Sequence, residues 1–194
     1  YQELVKKPKE LEANDAIFHA ETLFDKMANE HFNKDSSTLV LNGGDLNGVK
    51  ITGVLKVINN YGGTMSGNRA QYIAGATYLH LNEYDKAIKF LKNFEGNGAN
   101  QVQAKAYLMI GHAYAELNKN EDALDNYKKA YSVNKADDAI SSDALMTAAS
   151  FADFIGKKDE AKKLYVELRD NYPAHTSVRS GDVDKYLARL GDLK

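Results

Sequence analysis

The chain has 194 residues and a net charge of −2, from 25 basic and 27 acidic side chains, and it contains no cysteine. Disulfides, thiol catalysis and zinc–thiolate sites are therefore excluded, and the balanced charge gives no general attraction to nucleic acid or anionic lipid. A hydrophobic content of 43% is typical of a globular protein. No run of about eighteen apolar residues occurs, so no segment predicts a transmembrane helix.

Residues 1–62 predict an irregular pair of helices with a glycine-rich loop between them. Apolar residues recur at three- and four-residue steps from Lys7 to about Phe32, as on one face of a helix. The segment DSSTLVLNGGDLNG at 35–48 contains three glycines and predicts a loop with at most one extended piece. A helical spacing of apolar residues returns at 49–60.

Beyond this region the chain repeats itself. Three segments align: YIAGATYLHLNEYDKAIKFL from Tyr72, YLMIGHAYAELNKNEDALDNY from Tyr107, and LMTAASFADFIGKKDEAKKLY from Leu145. In each segment a small residue is followed by a turn residue and then by an alanine, which predicts two helices joined by a turn. The three residues are, in order, Gly75, Asn82 and Ala87; Gly111, Asn118 and Ala123; and Ala149, Gly156 and Ala161.

Close packing explains why these residue types recur. Glycine or alanine in the first helix lets the second helix approach, and a larger side chain would push the axes beyond the usual separation of about 8–10 Å. Tyrosines are expected to fill the remaining space, because a tyrosine buries a large area while its hydroxyl stays near water. The turn residues stand where a helix ends in a left-handed conformation. The expected space-filling tyrosines are Tyr78, Tyr114, Tyr127 and Tyr165.

From Tyr72 to Pro173 the chain resembles the tetratricopeptide repeat (TPR) family. The resemblance implies helix pairs in units of about 34 residues, which fall at about 68–98, 104–135 and 142–175. A final helix at about Asp182 to Leu190 is expected to cap the last unit. Residues 63–194 are then expected to continue one solenoid domain. The predicted fold class is all-α, a TPR-like α-α superhelix of about nine helices.

More broadly, the chain resembles bacterial envelope-anchored TPR proteins of the ancillary Sec-translocon subunit type. This resemblance is carried by YQELVKKPKELEANDAIFHAETLF, LNGGDLNG and YGGTMSGNRAQYIAGATYLHLNEYDKAIKFL. It implies a membrane tether before Tyr1, a repeat domain at the inner membrane that faces the periplasm, and a role in protein export or envelope assembly. A cytoplasmic location is the alternative.

The TPR resemblance also implies a concave groove, lined by the first helix of each pair, that binds an extended peptide or a partner helix. An apolar partner segment would pack on Tyr72, Leu108, Met146 and Phe154, with charged residues setting its register. The alternative is that these residues are a solvated face and part of the core. The predicted partner-binding residues are Arg69, Tyr72 and His80 in the first repeat; Lys105, Leu108, His112 and Glu116 in the second; and Asp143, Met146, Asp153 and Phe154 in the third.

No catalytic motif is present: HExxH, GxSxG and Walker sequences are absent, and no two of the five histidines have the four-residue spacing of a helical metal site. We expect no catalytic residues, no cofactor and no metal. The predicted function is a non-enzymatic protein–protein interaction scaffold with a protein or peptide partner and no nucleic acid. The alternative is a homo-oligomerising structural protein that uses its N-terminal helix or the ends of the solenoid.

Overall fold

The computed structural model describes the backbone of residues 2–191 and the side chains of residues 8–191. The membrane tether expected before Tyr1 lies outside these residues. The described backbone forms eleven helices and one two-stranded antiparallel sheet. It divides into two compact units, Tyr1–Glu95 (unit 1) and Gly96–Lys194 (unit 2), each of which buries its own apolar residues.

Unit 1 is built around a long first helix. This helix packs against the next three helices and against the second strand. Its buried residues, which include Ala13, Ile17 and Ala20, recur at three- and four-residue steps and form one continuous apolar face. The elements of unit 1 are α1 (Gln2–Asn29), α2 (Lys34–Asn42), β1 (Gly43–Leu46), β2 (Val49–Thr52), α3 (Val54–Tyr61), α4 (Met65–His80) and α5 (Tyr84–Lys92).

The loop predicted at 35–48 is wrong for the first part of this segment, which is helix α2. The second part is the strand β1, the one extended piece that was expected, and the turn that leads to β2. Asn33 caps α2: its side-chain oxygen accepts a hydrogen bond from the Ser36 N–H at 2.8 Å. The hairpin turns at Asn47 and Gly48, whose φ values are 52° and 83°. Positive φ at both central residues is the requirement of a type I′ hairpin turn, for which Asn-Gly is a strongly preferred sequence.

The helix predicted at 49–60 begins only at Val54, because β2 occupies the first part of this segment. The β-branched residues Val49, Ile51 and Thr52 suit a strand better than a helix. Gly53 then lies against the end of α2. A Cβ atom at Gly53 would lie 2.3 Å from the carbonyl carbon of Asn42, so only glycine allows this approach.

Unit 2 consists of two long helix pairs followed by two short helices. Val183 and Leu187 of the last helix are buried, and this helix packs against the one at 158–171, as expected of a cap. The total exceeds the predicted nine helices because α2 and the one-turn α10 were not predicted. The elements of unit 2 are α6 (Asn100–Glu116), α7 (Asn120–Ser132), α8 (Asp138–Phe154), α9 (Lys158–Asn171), α10 (Thr176–Arg179) and α11 (Asp182–Arg189).

The turn inside each helix pair has the predicted left-handed residue. Asn82, Asn118 and Gly156 have φ values of 60°, 57° and 79°. The next residue in each turn donates its N–H to a carbonyl five residues earlier, at 2.9, 2.9 and 2.8 Å. This is the hydrogen bond of a Schellman motif, which satisfies a carbonyl at the helix end and reverses the chain.

The close approach predicted at the small residues is confirmed. A Cβ atom at Gly111 would lie 2.5 Å from Cε1 of Tyr127, and one at Gly75 would lie 2.4 Å from Cγ of Leu91. Both distances are shorter than any real Cβ contact, so the second helix packs directly on the glycine backbone. The alanines of the second helices are fully buried, and so, almost completely, are the four tyrosines expected to fill the space.

Replacing Gly111 with alanine should therefore destabilise unit 2, although alanine is the better helix former by about 1 kcal/mol. The new methyl group meets the buried Tyr127 ring, and overpacking of this kind costs about 1–3 kcal/mol. The measurement is the free energy of unfolding in urea.

The matched control is Gly63→Ala. Gly63 has open space within 4 Å of the added Cβ and no positive φ, so this substitution should be neutral. Equal stability of the Gly111→Ala and Gly63→Ala proteins would show that the glycine does not set the helix spacing.

Candidate functional site

A series of rings crosses the three helices α6, α7 and α8 of unit 2. We call it the aromatic row; it comprises His112, Tyr127, Phe151 and Phe154. Successive ring centroids are 5.3, 5.2 and 6.1 Å apart, within the range of favourable aromatic pairs. The row begins at a histidine that packs on Tyr127 and ends at Phe154, whose side chain is 83% exposed.

His112 and Tyr127 form the polar end of the row. The Tyr127 hydroxyl and His112 Nδ1 are 3.0 Å apart and share a hydrogen bond. Burial lowers the pKa of His112, and the charge of Glu116 opposes that shift. Burial, with a smaller contribution from Glu116, raises the pKa of Tyr127 to about 12. At neutral pH the pair is therefore an uncharged hydrogen-bonded unit.

The third repeat has an equivalent pair. The Tyr165 hydroxyl donates to Ser150 Oγ at 3.3 Å, and both residues align with Tyr127 and His112 in the repeat. Of the two phenylalanines at the end of α8, Phe151 packs against Tyr127, whereas Phe154 projects into solvent. The apolar end of the row is thus the part that a partner can reach.

Two acidic residues predicted to set the register of a partner are paired within unit 2. Asp143 Oδ1 lies 3.1 Å from Nε2 of His175, which caps α10. Asp153 forms an ion pair with Arg189 of α11, so it joins the last repeat to the capping helix. These pairings leave fewer charges for a partner than the sequence pattern predicts.

The other predicted residues of unit 2 differ in exposure. Lys105 is exposed on α6, and Leu108 and Met146 are half-buried on α6 and α8. Glu116 is exposed and interacts electrostatically with His112 and Tyr127. Leu108, Met146 and Phe154 are the apolar members of the predicted set in this unit.

The three predicted residues of the first repeat lie in unit 1. Two of them, Arg69 and His80, contact α1 or the segment that follows it. Arg69 Nε lies 2.9 Å from Oε1 of Glu21 on α1. His80 stacks on Phe32, with centroids 3.6 Å apart and ring planes at 11°. Tyr72 is half-buried, with its ring centroid 5.3 Å from that of Phe94. Arg69 and His80 therefore contact their own chain at the positions predicted to face a groove.

A polar seam on α1 explains the position of Arg69, and sequence reasoning missed it. Glu10 accepts hydrogen bonds from the Met65 and Ser66 N–H groups at 2.9 and 3.1 Å, which places a carboxylate at the N-terminus of α4. Asn14 accepts from Ser66 and Arg69. Residues 10, 14 and 21 share one helix face, and this polar face was the available signal.

The described residues hold no group of three or more histidine, cysteine or acidic side chains placed to bind a metal ion. Among the helices of that same part of the chain, none has the length and apolar character needed to cross a membrane. The pKa shifts of His112 and Tyr127 are both caused by burial and by the charge of Glu116.

Comparison with protein families agrees with this geometry. Tetratricopeptide repeat models match residues 69–93, 104–137 and 143–175. The chain therefore contains tetratricopeptide repeats, the first in unit 1 and the other two in unit 2, and its fold class is all-α, of the TPR solenoid type.

Among solved structures, a crystal structure of MamA protein has a similar fold. The TM-score is 0.54 at 16% sequence identity, and the match covers 92% of this chain and 87% of that chain. At this identity the likeness shows the fold alone. No curated protein sequence matches the chain.

The free energy of unfolding should fall as the pH drops below the ordinary pKa of histidine. Burial lowers the pKa of His80 and of His112 below 6.5 in the folded chain, so the unfolded chain takes up protons first. The contribution of these two neutral histidines to the free energy of unfolding is fully present above pH 6.5. It is lost as the pH falls from 6.5 through their pKa values in the folded chain.

Urea unfolding at about pH 7.5 and about pH 5.5 measures this loss. His112→Gln should reduce the difference between the two conditions, because it removes the imidazole that contacts Tyr127. His19→Gln, on α1 of unit 1, is the control. If both variants kept the full difference, the packing of His112 against Tyr127 would not be its cause.

Proposed function

We propose that this protein is a non-enzymatic interaction scaffold that binds a partner polypeptide on the aromatic row of unit 2. The observation that carries the proposal is Phe154, which is 83% exposed beside rings that pack against one another. Covering a side chain of this kind contributes about 1.5–3 kcal/mol. The presence of TPR repeats supports a protein partner.

The surface around Phe154 fits an apolar segment better than a strongly charged one. Met146 on α8 and Leu108 on α6 are the other apolar residues of the predicted set in unit 2, and both are half-buried. Asp143 and Asp153 already have partners within the chain. Exchange of one exposed ion pair for another gains little free energy, so the charges contribute more to orientation than to affinity.

The cellular location and process are part of this proposal and rest on the sequence resemblance alone. That resemblance favours an inner-membrane tether, a periplasm-facing repeat domain and a role in export or envelope assembly, with the cytoplasm as the alternative. Fractionation of cells that express the full gene tests the location. Recovery in the soluble cytoplasmic fraction would contradict the envelope assignment.

Phe154→Glu should abolish capture of the native partner by the immobilised protein. The substitution places a charge in the apolar contact while the folded chain loses little packing, because the side chain is exposed. The measurement is quantitative mass spectrometry of captured proteins, with the unfolding midpoint as the check that the fold is retained.

Phe18→Glu is the matched control, since Phe18 is also an exposed phenylalanine, 59% exposed, but lies on α1 of unit 1. It should leave capture unchanged. Capture that persists in the Phe154→Glu protein would place the partner site elsewhere.

Self-association is the second candidate, and one observation favours it. Leu11 and Phe18 are 66% and 59% exposed, and they lie seven residues apart on the same face of α1. If this face joins two copies, the average mass from light scattering should rise with concentration in the wild type. The Leu11→Gln/Phe18→Gln protein should then stay monomeric, and Phe154→Glu should not. A wild-type mass independent of concentration would rule this candidate out.

A further inference from the structure

A cavity of about 620 Å³ opens in unit 1 between α2 and the turn that joins α4 to α5. Its lining includes Ser37, Leu41 and Tyr78, all of which are buried. The volume lies within the range of about 300–1,000 Å³ that is usual for ligand sites. Part of the lining comes from α2, a helix outside the repeats, and part comes from the end of α4 and the turn that follows it. Of the predicted groove residues, His80 lies in this lining.

Stacked rings keep the wall of the cavity in place. Phe32 stacks on His80 at 3.6 Å, and its other contact is edge-on with Phe24 at 5.7 Å. Tyr78 stacks on Phe90 at 5.5 Å. Burial lowers the pKa of His80, so the wall is uncharged at neutral pH. Part of the cavity wall is thus made of rings that pack against one another, and the rest of the lining is mainly polar.

The charged residues of the cavity are Lys34, Lys86 and Glu83. Lys86 is paired with Glu83, and its Nζ lies 5.0 Å from the centroid of the Tyr78 ring. Lys34 is the first residue of α2, where the helix dipole adds positive partial charge. The lining therefore contributes two ammonium groups and one carboxylate, so its formal net charge is positive.

We propose that this cavity binds a short carboxylate-bearing segment of a partner polypeptide. An apolar side chain of the segment packs on Tyr78 and on the Phe32–His80 wall, while its carboxylate lies near Lys34 and Lys86. Glu83 disfavours a second acidic group, so the cavity selects one carboxylate and not a polyacidic run. This site goes beyond the function proposed for the aromatic row, and it belongs to the other unit.

The probe that tests this proposal is N-acetyl-phenylalanyl-aspartate amide, which carries one ring and one carboxylate. The full chain is titrated to millimolar concentrations of probe, and the backbone amide chemical shifts are followed. We expect shifts concentrated at Ser37, Leu41 and their neighbours. The uncharged analogue N-acetyl-phenylalanyl-asparagine amide has the same shape and should bind more weakly.

Lys34→Gln should weaken binding of the aspartate probe by about two- to fivefold, the range of one solvent-exposed ion pair. Lys86→Gln should weaken it further, because Glu83 then faces the probe without its partner. Lys56→Gln, at an exposed position on α3 outside the cavity, is the control and should have no effect. All three are surface substitutions that keep the core intact.

Three results would overturn the proposal: no shifts at the cavity, equal binding of the aspartate and asparagine probes, or equal binding by the Lys34→Gln and Lys56→Gln proteins. The Phe154→Glu protein should bind the probe as the wild type does. Loss of partner capture by that variant and loss of probe binding by Lys34→Gln are therefore separate outcomes.

Discussion

The contact between Gly111 and the Tyr127 ring is the constraint on which the packing of unit 2 depends. With no side chain at Gly111, α7 lies close enough for the ring to cover the backbone of α6. The same ring then has one edge against Phe151 of α8 and its hydroxyl on His112. One buried tyrosine thus fixes the distance between two helices, supports the third and orients the start of the aromatic row, which ends at Phe154.

The three repeats show how this constraint shapes the polar contacts around it. Tyr127 and Tyr165 each reach a polar side chain of the first helix, His112 and Ser150. In the first repeat the equivalent of the tyrosine is Leu91, which has no hydroxyl. A buried hydroxyl needs a hydrogen-bond partner, whereas a leucine does not, so ring and partner must change together. The polar link is consequently a property of unit 2 and not of every repeat.

The sequence predicted the helix pairs well because their signals are local. Small residue, left-handed turn and alanine all fall within about one repeat of each other, and the structure confirms each of them. The hairpin at Asn47 and Gly48 was missed although Asn-Gly is a strong turn signal, because the strands are only four residues long. Arg69 was predicted to line the groove because it aligns with Lys105 in the repeat. That prediction assumes that both residues have the same neighbouring helices. The actual neighbour of Arg69 is α1, a helix outside the repeats. The polar face of α1 is visible in the sequence, but the helix that it packs against is not.

Much of the polar part of the predicted site is occupied within the chain, and this limits how a partner can be recognised. Arg69, Asp143 and Asp153 hold neighbouring helices together through Glu21, His175 and Arg189. A partner that used these charges would have to replace an existing pair of similar strength, which leaves little net free energy. Phe154 has no such competitor, because its alternative to a partner is water. Under the proposed function, apolar contact with Phe154 therefore contributes more to partner affinity than the charges do, and the paired charges hold the helices that present this side chain.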